Sequence, residues 1–380
     1  MSAAAGVTLR SAVPLAHHGT RGAAGKDADA KGGSALAMTV RTTNHEWLRL
    51  TVEEPLEPDL PICDPHHHLW DKVSGRVAPR YLLDEILEDV LGGGHNVVST
   101  VFIECGAMWK PDGPEAMRYI GETEFVNGIA AMSASGLYGK TRVAAGIVGT
   151  APLRLGKAVG QVLDAQIAAG GGRFRGIRLG AAWDADDAVP NHRTGPPRGL
   201  FLRDDFRAGF AELGPRQLTF EAWCYHPQIP DVTALARAFP DTTIILNHFG
   251  GPVGIGSYAG RTREVYAEWQ RSIAELATCP NVVVKLGGIN MEVNGFGWHE
   301  RPKPPSSREL MEATRPYYDF TIERFGADRC MFESNFPVDA VSCSYTVLWN
   351  SFKRLTAGYA AADKAKLFHD TAARVYRLTG

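Results

Sequence analysis

Between residues 60 and 334 the chain repeats one pattern eight times, a short β-branched or apolar run followed by a longer stretch with helical periodicity. The runs are "LPICD" (60–64), "NVVSTVFIE" (96–104), "RVAAGIVG" (142–149), "FRGIRLG" (174–180), "LTFEAWC" (218–224), "TTIILNH" (242–248), "NVVVKLG" (281–287) and "RCMFES" (329–334). Several are apolar at consecutive positions, as strands of a parallel sheet are when helices cover them. Helical patterns such as "EAMRYIGETEFVNGIAAMSA" and "REVYAEWQRSIAELA" lie between them. Eight such repeats predict an α/β fold, a (β/α)8 TIM barrel spanning residues 46–380. No GxGxxG follows the first strand, which weakens the case for a dinucleotide-binding open sheet.

Ahead of the barrel, residues 1–45 are dominated in their first part by Ala, Gly and small polar residues. Such a segment buries too little apolar surface to offset its ordering entropy, so a disordered tail is expected. Met38 offers an alternative start. The 380 residues carry a net charge of only −2, with acids and bases interspersed along the chain. This reading leaves no electrostatic footprint for nucleic acid or an anionic membrane and favours a small-molecule partner. Self-association stays open. Six cysteines without CxxC spacing read as buried reduced thiols, and the expected compartment is the cytoplasm.

A barrel does its chemistry at the C-terminal ends of its strands. Those ends gather Asp64, His66 and His68; Glu104; Arg178; Tyr225 and His226; His248; Lys285, slightly inside; and Glu333 with Asn335. Strict alternation along the first strand places Asp64, His66 and His68 on one face and Cys63, Pro65 and His67 on the other. His66 and His68 then face the cavity, able to chelate a metal or grip a substrate oxygen, while His67 packs against the helices. Arg178 has two readings, a bidentate clamp for a substrate carboxylate or an ion pair with Glu104 or Glu333. Lys285 reads as an interior lysine or the partner of a carboxylate. His226, ahead of a proline, either contacts substrate or merely starts a turn.

Six segments in order, "CDPHHHLWD", "FRGIRLG", "EAWCYHPQIPD", "ILNHFGGP", "VVVKLGG" and "RCMFESNFPVD", resemble the amidohydrolase superfamily. The resemblance is to its amidohydrolase-related group, which includes sugar lactonases and 2-pyrone-4,6-dicarboxylate lactonase. It implies a distorted barrel that hydrolyses an ester, lactone or amide, or in some branches decarboxylates an aromatic acid. Carried over by position, it makes His66, His68 and His248 catalytic, as ligands of a divalent metal such as Zn²⁺ or as direct donors to the carbonyl. The lactonase branch commonly works without a tightly bound metal, so both options stand. Arg178 becomes a carboxylate holder; Glu104, Tyr225 and His226 are expected on the substrate side from their own place at the strand ends.

One position departs from the family. Where the last strand usually places a water-activating aspartate, this chain has Asn335, and the usual glycine two residues earlier is Glu333. An amide cannot take a proton as a general base. The base is therefore expected to have moved to Glu333, to Asp339 or to a histidine. The main expectation is a hydrolase opening a lactone or similar cyclic ester that bears a carboxylate. The alternatives are a metal-dependent aromatic-acid decarboxylase and, because of Asn335, an inactive ligand-binding barrel. The Gly- and Pro-rich stretch "GINMEVNGFGWHERPKPPSSREL" is expected to be a substrate lid.

Overall fold

The computed structural model describes residues 45–72 and 78–378, so the tail expected at the N-terminus lies outside the described residues but for its last position. Eight strands, β1 (Ile62–His67), β2 (Val97–Ile103), β3 (Arg142–Gly149), β4 (Phe174–Gly180), β5 (Thr219–Trp223), β6 (Ile244–Leu246), β7 (Val282–Leu286) and β8 (Cys330–Phe332), form one parallel sheet in chain order. Seven of the predicted runs contain their strands, and the first, 60–64, overlaps a strand that continues to His67. Eight helices alternate with them: α1 (Leu83–Gly92), α2 (Ile120–Ala134), α3 (Gly160–Ala169), α4 (Asp204–Phe210), α5 (Ile229–Ala238), α6 (Thr262–Leu276), α7 (Ser307–Phe325) and α8 (Tyr345–Leu355). The sheet closes where the segment after β8 meets β1. There His68 N–H donates to the Phe336 carbonyl at 2.8 Å, and Asn335 N–H to that of His66 at 2.9 Å. The (β/α)8 barrel is thus the fold observed.

Alternation along the strands sorts side chains into two clusters. Phe102, Ile147, Ile177, Phe220, Leu246, Val284 and Phe332 face the helices. Val101, Ile103, Val148, Ile245, Val283 and Met331 face each other inside the barrel, where Tyr376 from the C-terminal segment joins them. Burying each of the large side chains contributes about 1.5–3 kcal/mol. Among these apolar interior layers sit four charged residues, Arg178, Glu221, Lys285 and Glu333, all buried.

β1 departs from the strict alternation expected of it. Asp64 pairs with Thr100 and His67 with Phe102, so β1 spends three residues where β2 spends two. A bulge of this kind resets which face a side chain meets. Cys63 consequently joins the interior cluster, while Asp64 accepts from the Tyr345 hydroxyl of α8 at 3.0 Å. Asp64 is therefore not a cavity residue. His67 packs as expected, against Phe102 and with Nε2 2.9 Å from the Thr100 hydroxyl.

The expected lid is part of the packed body. Trp298 is buried in the main core, and Val293 in a smaller cluster. Asn294 donates to the Pro252 carbonyl, and the Trp47 indole to that of Arg301. Two short 3₁₀ turns, Glu292–Asn294 and Trp298–Glu300, give the stretch its own structure. All six cysteines are free and buried. No helix among the described residues is long and apolar enough to cross a membrane.

Candidate active site

Five strand ends build the group at the C-terminal mouth. The last, just past β8, contributes Glu333, fully buried. Its Oε1 accepts from His248 Nδ1 at 2.7 Å, and its Oε2 lies 2.7 Å from His66 Nδ1. The imidazoles of His66 and His248 stand 4.6 Å apart, and that of His68 is 5.0 Å from His66. Trp223 closes over His248 edge-on at 4.8 Å. Two glycines after β7 make room for this grouping. A Cβ on Gly287 would lie 2.5 Å from Glu333 Cγ, and one on Gly288 2.0 Å from His248 Nδ1. The Gly287-Gly288 pair that follows the strand is thus a requirement of the site.

Proton positions follow from the partners. Arg178 Nη1, a donor only, sits 3.3 Å from His66 Nε2. His66 is neutral, because burial holds its imidazole well below the ordinary value, with the Lys285 charge adding to that. Its Nδ1 faces Glu333. The other ring nitrogen of His248, Nε2, is turned away from the carboxylate that Nδ1 meets. His68 Nδ1 donates to the Ile103 carbonyl at 2.8 Å.

Around this trio each buried cation has a carboxylate. Lys285 Nζ lies 2.9 Å from Glu221 Oε2 and 3.5 Å from His66 Nδ1. Asn247 and the Tyr376 hydroxyl complete the shell of Glu221. Arg178 gives Nε to Glu104 Oε1 at 2.8 Å and Nη2 to the Glu104 carbonyl. Glu104 Oε2 is taken by Arg193. Burial would raise the Glu104 carboxyl, but the Arg193 and Arg178 guanidiniums hold it down at about 2.

Several expected substrate contacts are otherwise engaged. Of the two readings of Arg178, the ion pair with Glu104 is the one present. With Nη1 on His66 as well, the guanidinium has no free fork for a substrate carboxylate. Tyr225 is buried, its hydroxyl donating to the Pro190 carbonyl. His226 is fully buried at the start of a turn, and its Nδ1 accepts from Val253 N–H. Asn335 adopts a left-handed conformation with φ 57°. That conformation ends the alternation by which Asn335 was expected to follow Glu333 into the cavity. Its amide donates to Asp339 Oδ1 at 2.9 Å. Burial pushes the Asp339 carboxyl up to about 7, against the Asn335 hydrogen bond and with the Glu333 charge adding.

Two participants were not anticipated. Glu221 could have been noticed as the lone acid in "LTFEAWC". Arg193 lies in the long β4–α4 connection, where no periodicity marks it. It borders a cavity of ≈ 510 Å³ with Trp109, Tyr119, Thr150 and Thr194, and its side chain is 31% exposed.

Among the described residues, the His, Cys, Asp and Glu donor atoms that converge as a metal-binding group belong to His66, His248 and Glu333, all within 4.8 Å of one another. His68, expected as a ligand, is not in that group. Two imidazoles and a carboxylate fit a divalent ion in number and kind. The Arg178 and Lys285 cations beside His66 oppose a further positive charge there.

The amidohydrolase sequence profile matches residues 63–378. The chain belongs to the amidohydrolase family. It is similar to the uncharacterized protein y4mH of Sinorhizobium fredii, 33% identical over 338 residues, which are 84% of this chain and 99% of that protein. It is also similar to the L-fucono-1,5-lactonase of Burkholderia multivorans, 29% identical over 175 residues, 46% of this chain and 56% of the lactonase. Among solved structures, an amidohydrolase from Burkholderia multivorans with bound zinc shares the fold. The TM-score is 0.63 at 24% identity, covering 84% of this chain and 99% of the other.

Proposed function

We propose that this amidohydrolase opens a lactone, or a similar cyclic ester, that bears a carboxylate. The observation carrying this reading is the buried Glu333 carboxylate held between the Nδ1 atoms of His66 and His248. A carboxylate so enclosed does not meet water itself. It orients His248, whose Nε2 is the base, in the arrangement by which a carboxylate fixes the tautomer of a catalytic histidine. Water attacks the ester carbonyl and gives its proton to His248 Nε2. The ring C–O bond then breaks, and the same proton passes to the departing alkoxide, leaving a hydroxy acid. The Arg178 and Lys285 charges, 3.3 and 3.5 Å from His66, supply the positive field that the developing oxyanion meets.

A divalent ion would be held by His66, His248 and Glu333, and when bound it would polarise the carbonyl and acidify water. The substrate's own carboxylate falls to Arg193, which shares Glu104 as Arg178 does but is 31% exposed beside the 510 Å³ cavity. Similarity to an L-fucono-1,5-lactonase supports the lactone class. Six buried free thiols are in keeping with a cytoplasmic enzyme.

The test is a panel of carboxylated lactones, with and without chelator, on wild type, Glu333→Gln and His248→Asn. The expected result is ring opening without carbon dioxide, with kcat reduced about 10³-fold in both variants. Full activity in Glu333→Gln would sink the dyad. Carbon dioxide release would turn the reading to decarboxylation.

A further inference from the structure

The opposite end of the barrel holds a second cavity, of ≈ 490 Å³, whose charged lining is basic. Arg142 opens β3, Arg173 and Arg175 flank the start of β4, and Lys140 lies on the turn into β3. His369, from the C-terminal helices, completes the wall. No carboxylate comes within ion-pairing distance of Lys140, Arg142, Arg173, Arg175 or the nearby Arg377 among the described residues. His369 alone has an acid, Asp370, at 2.9 Å.

The basic groups rest instead on neutral oxygens. Lys140 donates to the Asn96 side chain at 3.0 Å, Arg173 to that of Asn127 at 2.7 Å, and Arg175 Nη1 to the Gly172 carbonyl at 2.7 Å. Such bonds aim a guanidinium without neutralising it. Arg175 Nε is buried with no partner, which is a costly state for a charged donor. Burial lowers the Arg175 guanidinium below its ordinary value, with the Arg377 and Arg173 charges adding.

The backbone is also built around this cavity. Between Ser99↔Arg142 and Val101↔Gly146, β3 spends four residues where β2 spends two. The extra length puts Ala144 at φ 52°, a conformation costly for a residue with a Cβ. Gly171 and Gly172 bring the opposite wall round at φ 54° and 84°.

We infer that this cavity at the N-terminal end of the barrel binds a phosphate-bearing small molecule, at a site separate from the reaction. Guanidinium forks match phosphate oxygens in pairs, and several uncompensated cations call for a multiply charged anion. The volume lies within the about 300–1,000 Å³ range of small-molecule sites, too confined for a polymer.

The test uses the full chain and inorganic triphosphate, pyrophosphate, phosphate and citrate as probes, read by titration calorimetry and thermal shift. Triphosphate is expected to bind and to raise the melting temperature. Binding should weaken at least about tenfold in an Arg142→Gln/Arg173→Gln double variant and in a Lys140→Gln/Arg142→Gln variant confined to exposed positions. Arg193→Gln, at the reaction end, should leave it unchanged. Absence of binding, undiminished binding in both double variants, or loss in Arg193→Gln would each overturn the site. Citrate binding more tightly than triphosphate would overturn the phosphate class.

Discussion

The two ends of this barrel handle positive charge in opposite ways. At the C-terminal mouth Arg178 and Arg193 share Glu104, and Lys285 meets Glu221. At the N-terminal end Lys140, Arg142, Arg173 and Arg175 line one cavity without a carboxylate among them. Burial explains the difference. Arg178 and Lys285 are 5% and 0% exposed, and a charge so far from water needs a partner. Lys140 and Arg142 are exposed, so water carries part of their charge. The mouth is therefore pre-organised by its own ion pairs, whereas the other end is left open to a ligand.

Breaking a pair at the mouth should cost most. Glu104→Ala leaves Arg178 buried without its carboxylate and is expected to destabilise the fold by about 3–5 kcal/mol in denaturant titration. A loss below about 1 kcal/mol would mean that the pair is solvated. Since Glu104 is held at about 2 against an ordinary 4.5, its stabilisation is complete above pH 4.5 and lost as pH falls toward 2.

Asp339 should behave in the opposite sense. Its folded value of about 7 lies above the ordinary 3.8, so the folded state holds the proton longer and stability falls as pH rises between those values. Asp339→Asn removes the titration. It should gain on wild type across that window and level off above pH 7, by about 4 kcal/mol. A gain independent of pH would show that the carboxyl does not carry the penalty.

Arg193→Gln should raise KM about tenfold for a lactone bearing a carboxylate, equivalent to about 1.4 kcal/mol, and leave an uncharged analogue unaffected. Equal effects on both substrates would remove Arg193 from carboxylate recognition. The smallest change is expected from Arg142→Ala, within about 0.5 kcal/mol of wild-type stability without ligand. A loss comparable to that of Glu104→Ala would erase the contrast between the two ends.

Much of the site's inventory was legible in the strand ends, because a parallel barrel collects residues far apart in the chain at one mouth. Glu333 stood out as an acid where the family has glycine, and His248 lay just before a Gly-Gly-Pro turn. The partners were harder to read. The ion pair of Arg178 with Glu104 depends on strands β2 and β4 standing two apart in a closed sheet, and Arg193 arrives from an irregular connection. Asp64 was misassigned because a bulge leaves no mark in hydrophobic periodicity.

The basic cavity shows the limit most directly. Along the chain, Lys140 and Arg142 are separated from Arg173 and Arg175 by a strand and a helix, and the net charge of −2 hides them. The sequence by itself determined the eightfold repeat, the residues that stand at the strand ends and the acid at position 333, since these are encoded in local pattern and residue type. Only the tertiary structure decided which charges neutralise one another. Pairing depends on distances between strands and on exclusion of water, and both come into being when the barrel closes.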